Sequence, residues 1–159
     1  MILENIHTPA DVKALDREQL EPLCRELRQF LVEHVSKTGG HLASNLGAVE
    51  LTVAIHRVFD TSRDRLVFDV GHQCYIHKML TGRREEMAGL RQYGGIAGFP
   101  KPGESVHDAF IAGHASNSVA VAVGMVQARA ALGQDYQVAA LIGDGALTGG
   151  PVSYTHLTL

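Results

Sequence analysis

Leu141-Ile142-Gly143-Asp144-Gly145-Ala146 is the stretch on which the fold turns. The apolar run 138–142 stops on a carboxylate held between two glycines, which reads as a buried strand of a parallel sheet feeding a loop. Ligands of open α/β sheets bind outside the carboxyl ends of such strands. Gly143 and Gly145 lack a Cβ, so they allow unusual φ/ψ values and let backbone N–H groups approach a phosphate closely. Asp144 supplies a hard oxygen. Magnesium suits that donor, because it accepts one or two carboxylates and completes its shell with waters and substrate phosphates. The same tripeptide also makes an ordinary turn, since Asp and Gly are both turn formers.

Three further segments narrow the choice: Gly39-Gly40-His41-Leu42-Ala43-Ser44-Asn45-Leu46-Gly47, Asp69-Val70-Gly71-His72-Gln73 and Gly113-His114-Ala115-Ser116-Asn117-Ser118. In each, a histidine follows a glycine at the end of an expected element, where its side chain can project into a cleft. Histidine titrates near neutrality and so can carry protons in a reaction. His56 falls inside an expected helix and His77 follows Ile76, so both are read as structural. His34 and His107 are read as surface positions.

Between these segments the pattern is α/β. Asp16 and Gln19 sit at capping-box spacing, ahead of an apolar stripe of Leu20, Leu23, Leu27, Phe30, Leu31 and Val35 that Gly39-Gly40 ends. A second helix is expected over 49–59 and a strand over 66–70. Residues 94–105 hold four glycines and two prolines, so an ordered loop or a mobile lid is expected there. The small apolar residues Val119, Ala120, Val123, Gly124, Ala128 and Ala131 suit a helix laid closely on a sheet, stopped by Gly133. This alternation of helices and strands is the order of an α/β protein.

Composition excludes several classes. The chain has 159 residues, 45% hydrophobic and 19% charged, which is ordinary for a soluble domain. A net charge of −3 leaves no electrostatic footprint for nucleic acid or an anionic membrane. No segment is long enough to span a bilayer, and the first eleven residues have the pattern of neither a signal nor a transit peptide. Cys24 and Cys74 are too few for a disulfide framework, so reduced thiols and a cytoplasmic location are expected.

With Gly143-Asp144-Gly145, the three histidine segments resemble, in this order, the amino-terminal part of the 1-deoxy-D-xylulose-5-phosphate synthase family, thiamine-diphosphate enzymes of the transketolase superfamily. The resemblance runs over about 20–150 and extends to 49–56, Leu80-Thr81-Gly82-Arg83-Arg84 and Gly94-Gly95. It implies a thiamine-diphosphate-binding fold, a parallel sheet flanked by helices, with 1–150 forming the amino-terminal part of that domain. It also implies a transferase that condenses pyruvate with glyceraldehyde 3-phosphate, releasing carbon dioxide and forming 1-deoxy-D-xylulose 5-phosphate for isoprenoid and thiamine synthesis. Thiamine diphosphate and magnesium are the implied cofactors, and a homodimer the implied assembly.

By the same resemblance His41 assists proton transfer, while His72, Gly113, His114 and Ala115 line the cofactor cleft. Asp144 binds magnesium, and Gly145-Ala146 border the diphosphate. A second metal ligand of the family would fall beyond Leu159, so these 159 residues alone are expected to be inactive. Lys101, Arg83 and Arg84 can attract a phosphorylated acceptor or serve as solvated surface charge. Two alternatives stand beside this reading: a transketolase-like sugar-phosphate transferase subunit, which the Gly71-His72-Gln73 and Gly113-His114-Ala115-Ser116 segments disfavour, and a non-catalytic partner chain, which His41 and Asp144 together disfavour. The family pattern breaks at 151–159, Pro-Val-Ser-Tyr-Thr-His-Leu-Thr-Leu, read as a truncated or misjoined frame or else a divergent strand.

Overall fold

The longest apolar stripe makes the longest helix. The computed structural model describes residues 1–149, and the 151–159 tail lies outside the described residues. Helix α1 (Pro9–Ala14) precedes α2 (Arg17–Thr38), whose start is fixed by the expected capping box, with Asp16 N donating to Gln19 Oε1 at 2.8 Å. Leu23, Leu27, Leu31 and Val35 line its buried face, and Leu20 and Phe30 border it half-buried. At Gly39 the chain adopts φ 75°, ending the helix as its N–H reaches back to Val35 O at 2.9 Å.

Helices α3 (Leu42–Leu46) and α4 (Val49–Val58) follow, the latter matching the expected span to one residue. Arg28 of α2 forks onto the carboxylate of Glu50 on α4 and donates to Leu46 O at 3.1 Å, which ties three helices together. Strand β1 (Arg65–Phe68) comes next, then α5 (Tyr75–Lys78), which runs into a π-type turn over Met79–Arg83. Helix α6 (Ser118–Ala131), strand β2 (Val138–Leu141) and the short α7 (Asp144–Leu147) complete the order.

These elements form two compact units. The first comprises Met1–Asp60 and His72–Gly98 and is all helical. Its core joins Val12, Leu23, Leu27 and Leu31 to Val49 and Val53, and to Tyr75, Ile76, Met79, Leu80, Met87 and Leu90. Those side chains are almost wholly withdrawn from water, and each stabilises the unit by about 1.5–3 kcal/mol relative to exposure. The second unit comprises Thr61–Gly71 and the described residues from Phe99. Here β1 and β2 pair in parallel, Arg65 opposite Val138 and Phe68 opposite Leu141. The expected parallel sheet is therefore present, with two strands among the described residues.

Helix α6 packs against both strands, by a face the sequence did not single out. Val119, Val123 and Val126 are 38%, 54% and 36% exposed, and Ala120, Gly124, Ala128 and Ala131 are also exposed. The more covered positions are Ser118, Val121, Ala122, Met125 and Arg129. The expectation fails because small apolar residues surround this helix, so hydrophobic periodicity cannot select a side. Tertiary hydrogen bonds mark the chosen one: Tyr136 Oη donates to Met125 O at 3.0 Å, and Arg129 donates to Tyr136 O at 2.8 Å.

Residues 94–105 contain no helix or strand, as expected, and are tied by local hydrogen bonds. Arg91 N reaches Ile96 O at 2.8 Å in the first unit. In the second, Lys101 N donates to Asp108 Oδ2 at 2.7 Å. An ordered loop describes both parts.

Candidate functional site

In the first unit the end of α2 delivers His41. Gly40 has φ 143°, and a Cβ there would lie 2.8 Å from Tyr75 Oη, so only glycine lets the chain pass this side chain without displacement. His41 N then donates to Tyr75 Oη at 3.3 Å, and His41 Nδ1 lies 3.5 Å from the same oxygen. The His41 and His72 rings stand edge to face, centroids 5.2 Å apart at 69°. His41 is exposed and His72 half-buried. The structure thus brings together two histidines separated by thirty-one positions of sequence. Burial pushes the Tyr75 hydroxyl above its ordinary pKa, against the opposing pull of the His41 backbone N–H.

The second unit is organised by an acid that sequence reasoning passed over. Asp69 ends β1, its N–H bonding Leu141 O at 2.8 Å, and its side chain is buried. Oδ1 accepts Ser116 N at 2.8 Å and Oδ2 accepts Ser118 N at 3.1 Å, so the carboxylate fixes the loop that follows Gly113-His114-Ala115. Immediately beyond, Gly71 N bonds Asp69 O at 2.6 Å across a γ-turn centred on Val70, at φ 58°. That conformation is an outlier for a β-branched residue. Gly71 follows at φ 91°, where a Cβ would meet Pro100 Cδ at 2.6 Å. An acid between an apolar run and Val-Gly was the available signal for all of this.

His114 and Ala115 are exposed, as are Gly113, at φ 148°, and Asp144 and Gly145. Asp144–Ala146 lie directly past β2, in the first turn of α7. A Cβ on Gly149 would fall 1.7 Å from Ser116 Oγ, so the segment ending α7 runs against the turn after His114. The conformational freedom glycine allows is not drawn on here. Gly143 sits at an ordinary φ of −75° and Gly145 is not among the positive-φ glycines. Their contribution is open space, since nothing lies within 4 Å of a Cβ at either position. The Asp144 carboxylate beside this space is a hard oxygen donor of the kind magnesium accepts. Among the described residues no three His, Cys, Asp or Glu side chains group as a ready metal site.

Burial also weighs against Arg83 and Arg84 as phosphate attractors. Arg83 is 5% exposed and donates to Thr81 Oγ1 at 2.8 Å, while Arg84 bonds Leu3 O and Glu85. Lys101 alone of the three is exposed. His56 and His77 are structural, as expected: both are fully buried, with Nε2 of the first 2.9 Å from Nδ1 of the second. His107 is not a plain surface residue, because it is half-buried with Nδ1 2.8 Å from Thr61 Oγ1. His34 is half-buried too, stacked on Phe30 at 3.7 Å. Cys24 and Cys74 are both buried and outside any disulfide.

Burial raises the pKa of the Asp69 carboxyl, but hydrogen bonding from Ser118 and Ser116 outweighs it and holds the group below its ordinary value. A carboxylate with a depressed folded pKa binds fewer protons folded than unfolded, so its stabilisation is full above the ordinary carboxylate range and is lost as pH falls through the folded pKa. The extra protection of the Ser116 and Ser118 amides over an Asp69→Asn variant is therefore expected to be constant near neutrality and to shrink below about pH 4. Hydrogen exchange followed by mass spectrometry measures it, and a difference that grows on acidification would contradict the assignment.

The fold is of the α/β class, with an acidic, glycine-flanked loop following a parallel strand at the end where such sheets bind their ligands. The chain belongs to the 1-deoxy-D-xylulose-5-phosphate synthase family, whose model matches residues 3–157. It is 58% identical over 149 residues to the 1-deoxy-D-xylulose-5-phosphate synthase of Dechloromonas aromatica and 60% identical over the same length to that of Chromobacterium violaceum. With the Thermus thermophilus enzyme it shares 57% identity over 150 residues. Each comparison covers 94% of this chain and 24% of the relative, so the chain spans about a quarter of the length of the curated relatives it matches.

Proposed function

We propose that this chain is the amino-terminal part of a transferase that condenses pyruvate with glyceraldehyde 3-phosphate to 1-deoxy-D-xylulose 5-phosphate and carbon dioxide, on the route to isoprenoid and thiamine precursors. The observation that carries the reading is the His41–His72 pair, held edge to face on glycine-built loops within a chain about 58% identical to named synthases. Thiamine diphosphate supplies, when bound, the carbon nucleophile that attacks a 2-oxo acid. His41, exposed and backed by the buried Tyr75 hydroxyl, gives and takes the protons of decarboxylation and carbon–carbon bond formation. His72, Gly113, His114 and Ala115 line the cofactor. Asp144 contributes one carboxylate to magnesium, and Gly145 and Ala146 border the diphosphate, with no Cβ at Gly145 to crowd it. The complete protein acts as a homodimer in the cytoplasm.

Asp144→Ala tests the cofactor assignment. It removes a negative charge from the metal and is expected to weaken magnesium-dependent thiamine-diphosphate binding by the complete protein by more than the roughly 10- to 100-fold that losing an outer-shell partner of a metal ligand brings. Folding should be little affected, because Asp144 is exposed. Isothermal titration at a magnesium concentration that half-saturates the wild-type effect reads it, and unchanged affinity there would remove Asp144 from the site.

A further inference from the structure

One buried amide joins three backbone positions at and beside the histidine pair. Asn45, on α3, is fully withdrawn from solvent. Its Nδ2 donates to His41 O at 2.7 Å and to His72 O at 2.8 Å, while its Oδ1 accepts Tyr75 N at 2.8 Å. Each amide hydrogen has one carbonyl, and the amide oxygen has one N–H. A flipped amide would set its NH₂ against the Tyr75 N–H and its oxygen against two carbonyls, so the partners leave a single orientation.

We infer that Asn45 is a positioning residue that fixes the separation and direction of His41 and His72. Its bonds to His72 and Tyr75 reach across 27 and 30 positions of sequence. They hold backbone, and so set where both imidazoles leave the chain. The bond to Tyr75 N also orients the first residue of α5, whose hydroxyl meets His41 N and lies beside His41 Nδ1. Asparagine is required because the site needs two donors and one acceptor on one short, rigid side chain. Aspartate has the same shape and keeps the acceptor for Tyr75 N, but turns an oxygen toward two carbonyls. The inference rests on the reading of His41 as the proton carrier and adds to it the side chain that aims it.

The test is made on the full-length protein with Asn45→Asp, Asn45→Ser and Tyr75→Phe variants. In cofactor-free protein, residue-resolved carbethoxylation by diethylpyrocarbonate reports each histidine separately. Asn45→Asp is expected to change the His41 and His72 rates several-fold while the buried His56 and His77 stay unreactive and His34 is unchanged. Asn45→Ser, which retains one hydroxyl donor, should show a smaller change of the same kind, and Tyr75→Phe should alter His41 alone. With cofactor restored, kcat of Asn45→Asp is expected to fall about ten- to a hundredfold with KM for pyruvate little changed, the signature of misplaced groups.

Unchanged rates at His41 and His72 would overturn the inference. So would a joint rise at His34, His56 and His77, which signals general loosening. Turnover preserved in Asn45→Asp while His41→Ala loses it also overturns the inference. Turnover preserved in His41→Ala itself strikes down the underlying reading, and the inference with it.

Discussion

His41→Ala in the complete protein is expected to lower turnover about a hundred- to ten-thousandfold, the range lost when a positioned general acid or base is removed. The side chain is exposed, so its deletion costs little packing, and the backbone bonds of His41 to Tyr75 and Asn45 persist in alanine. Thermal stability and magnesium-dependent cofactor affinity should therefore stay close to wild type while kcat collapses. The control is His34→Ala, whose ring stacks on Phe30 and bonds Phe30 O within one helix. His77 would be a poor control, since its removal breaks the buried His56–His77 hydrogen bond. Steady-state kinetics on the two variants decides the matter, and equal losses would make His41 a structural residue.

Asp69→Ala should produce the largest loss of stability. Two backbone N–H groups, Ser116 and Ser118, donate to this carboxylate from buried residues, and alanine offers neither an acceptor. Hydrogen bonds to a charged group contribute about 1.5–3 kcal/mol each, so a combined loss of about 3–6 kcal/mol is expected. The damage should be local to the second unit. Exchange protection would fall first at 116–118 and along the β1–β2 ladder, while α2 and α4 keep theirs. Protection lost equally in both units, or in neither, would count against the assignment.

The contrast between these two residues shows what a sequence can display. The exposed, glycine-built loop that carries His41 is legible because its glycines and histidine are adjacent in the chain, as is α2, whose leucines recur at helical spacing and whose stop is Gly39. The strands were legible as apolar runs ending on polar groups, and β1 and β2 stand within one or two residues of expectation. Asp69 was not legible in its role, because its partners lie 47 and 49 positions away. Asn45 lies within a histidine motif, but its role is not legible there, since its partners are backbone atoms that any residue could supply. The buried face of α6 was hidden by a helix apolar on every side, and Arg83 by the assumption that an arginine seeks water.

The bend at Val70 bears on how freely this protein can change. A parallel ladder of four residue pairs is short, and a slide of one residue would turn each side chain of β1 to the opposite face. Such a slide would move Asp69 about 3.3 Å along the strand and away from the amides it holds. Absorbing Val70 into the strand would require its φ to change sign. The length of β1 is thus measured off by a backbone feature, as a carpenter's stop sets the length of a cut, and owes little to which apolar residues fill it. Leu66, Val67 and Phe68 can then be exchanged over evolutionary time for other apolar residues of similar bulk while the loop after them begins at an unaltered place.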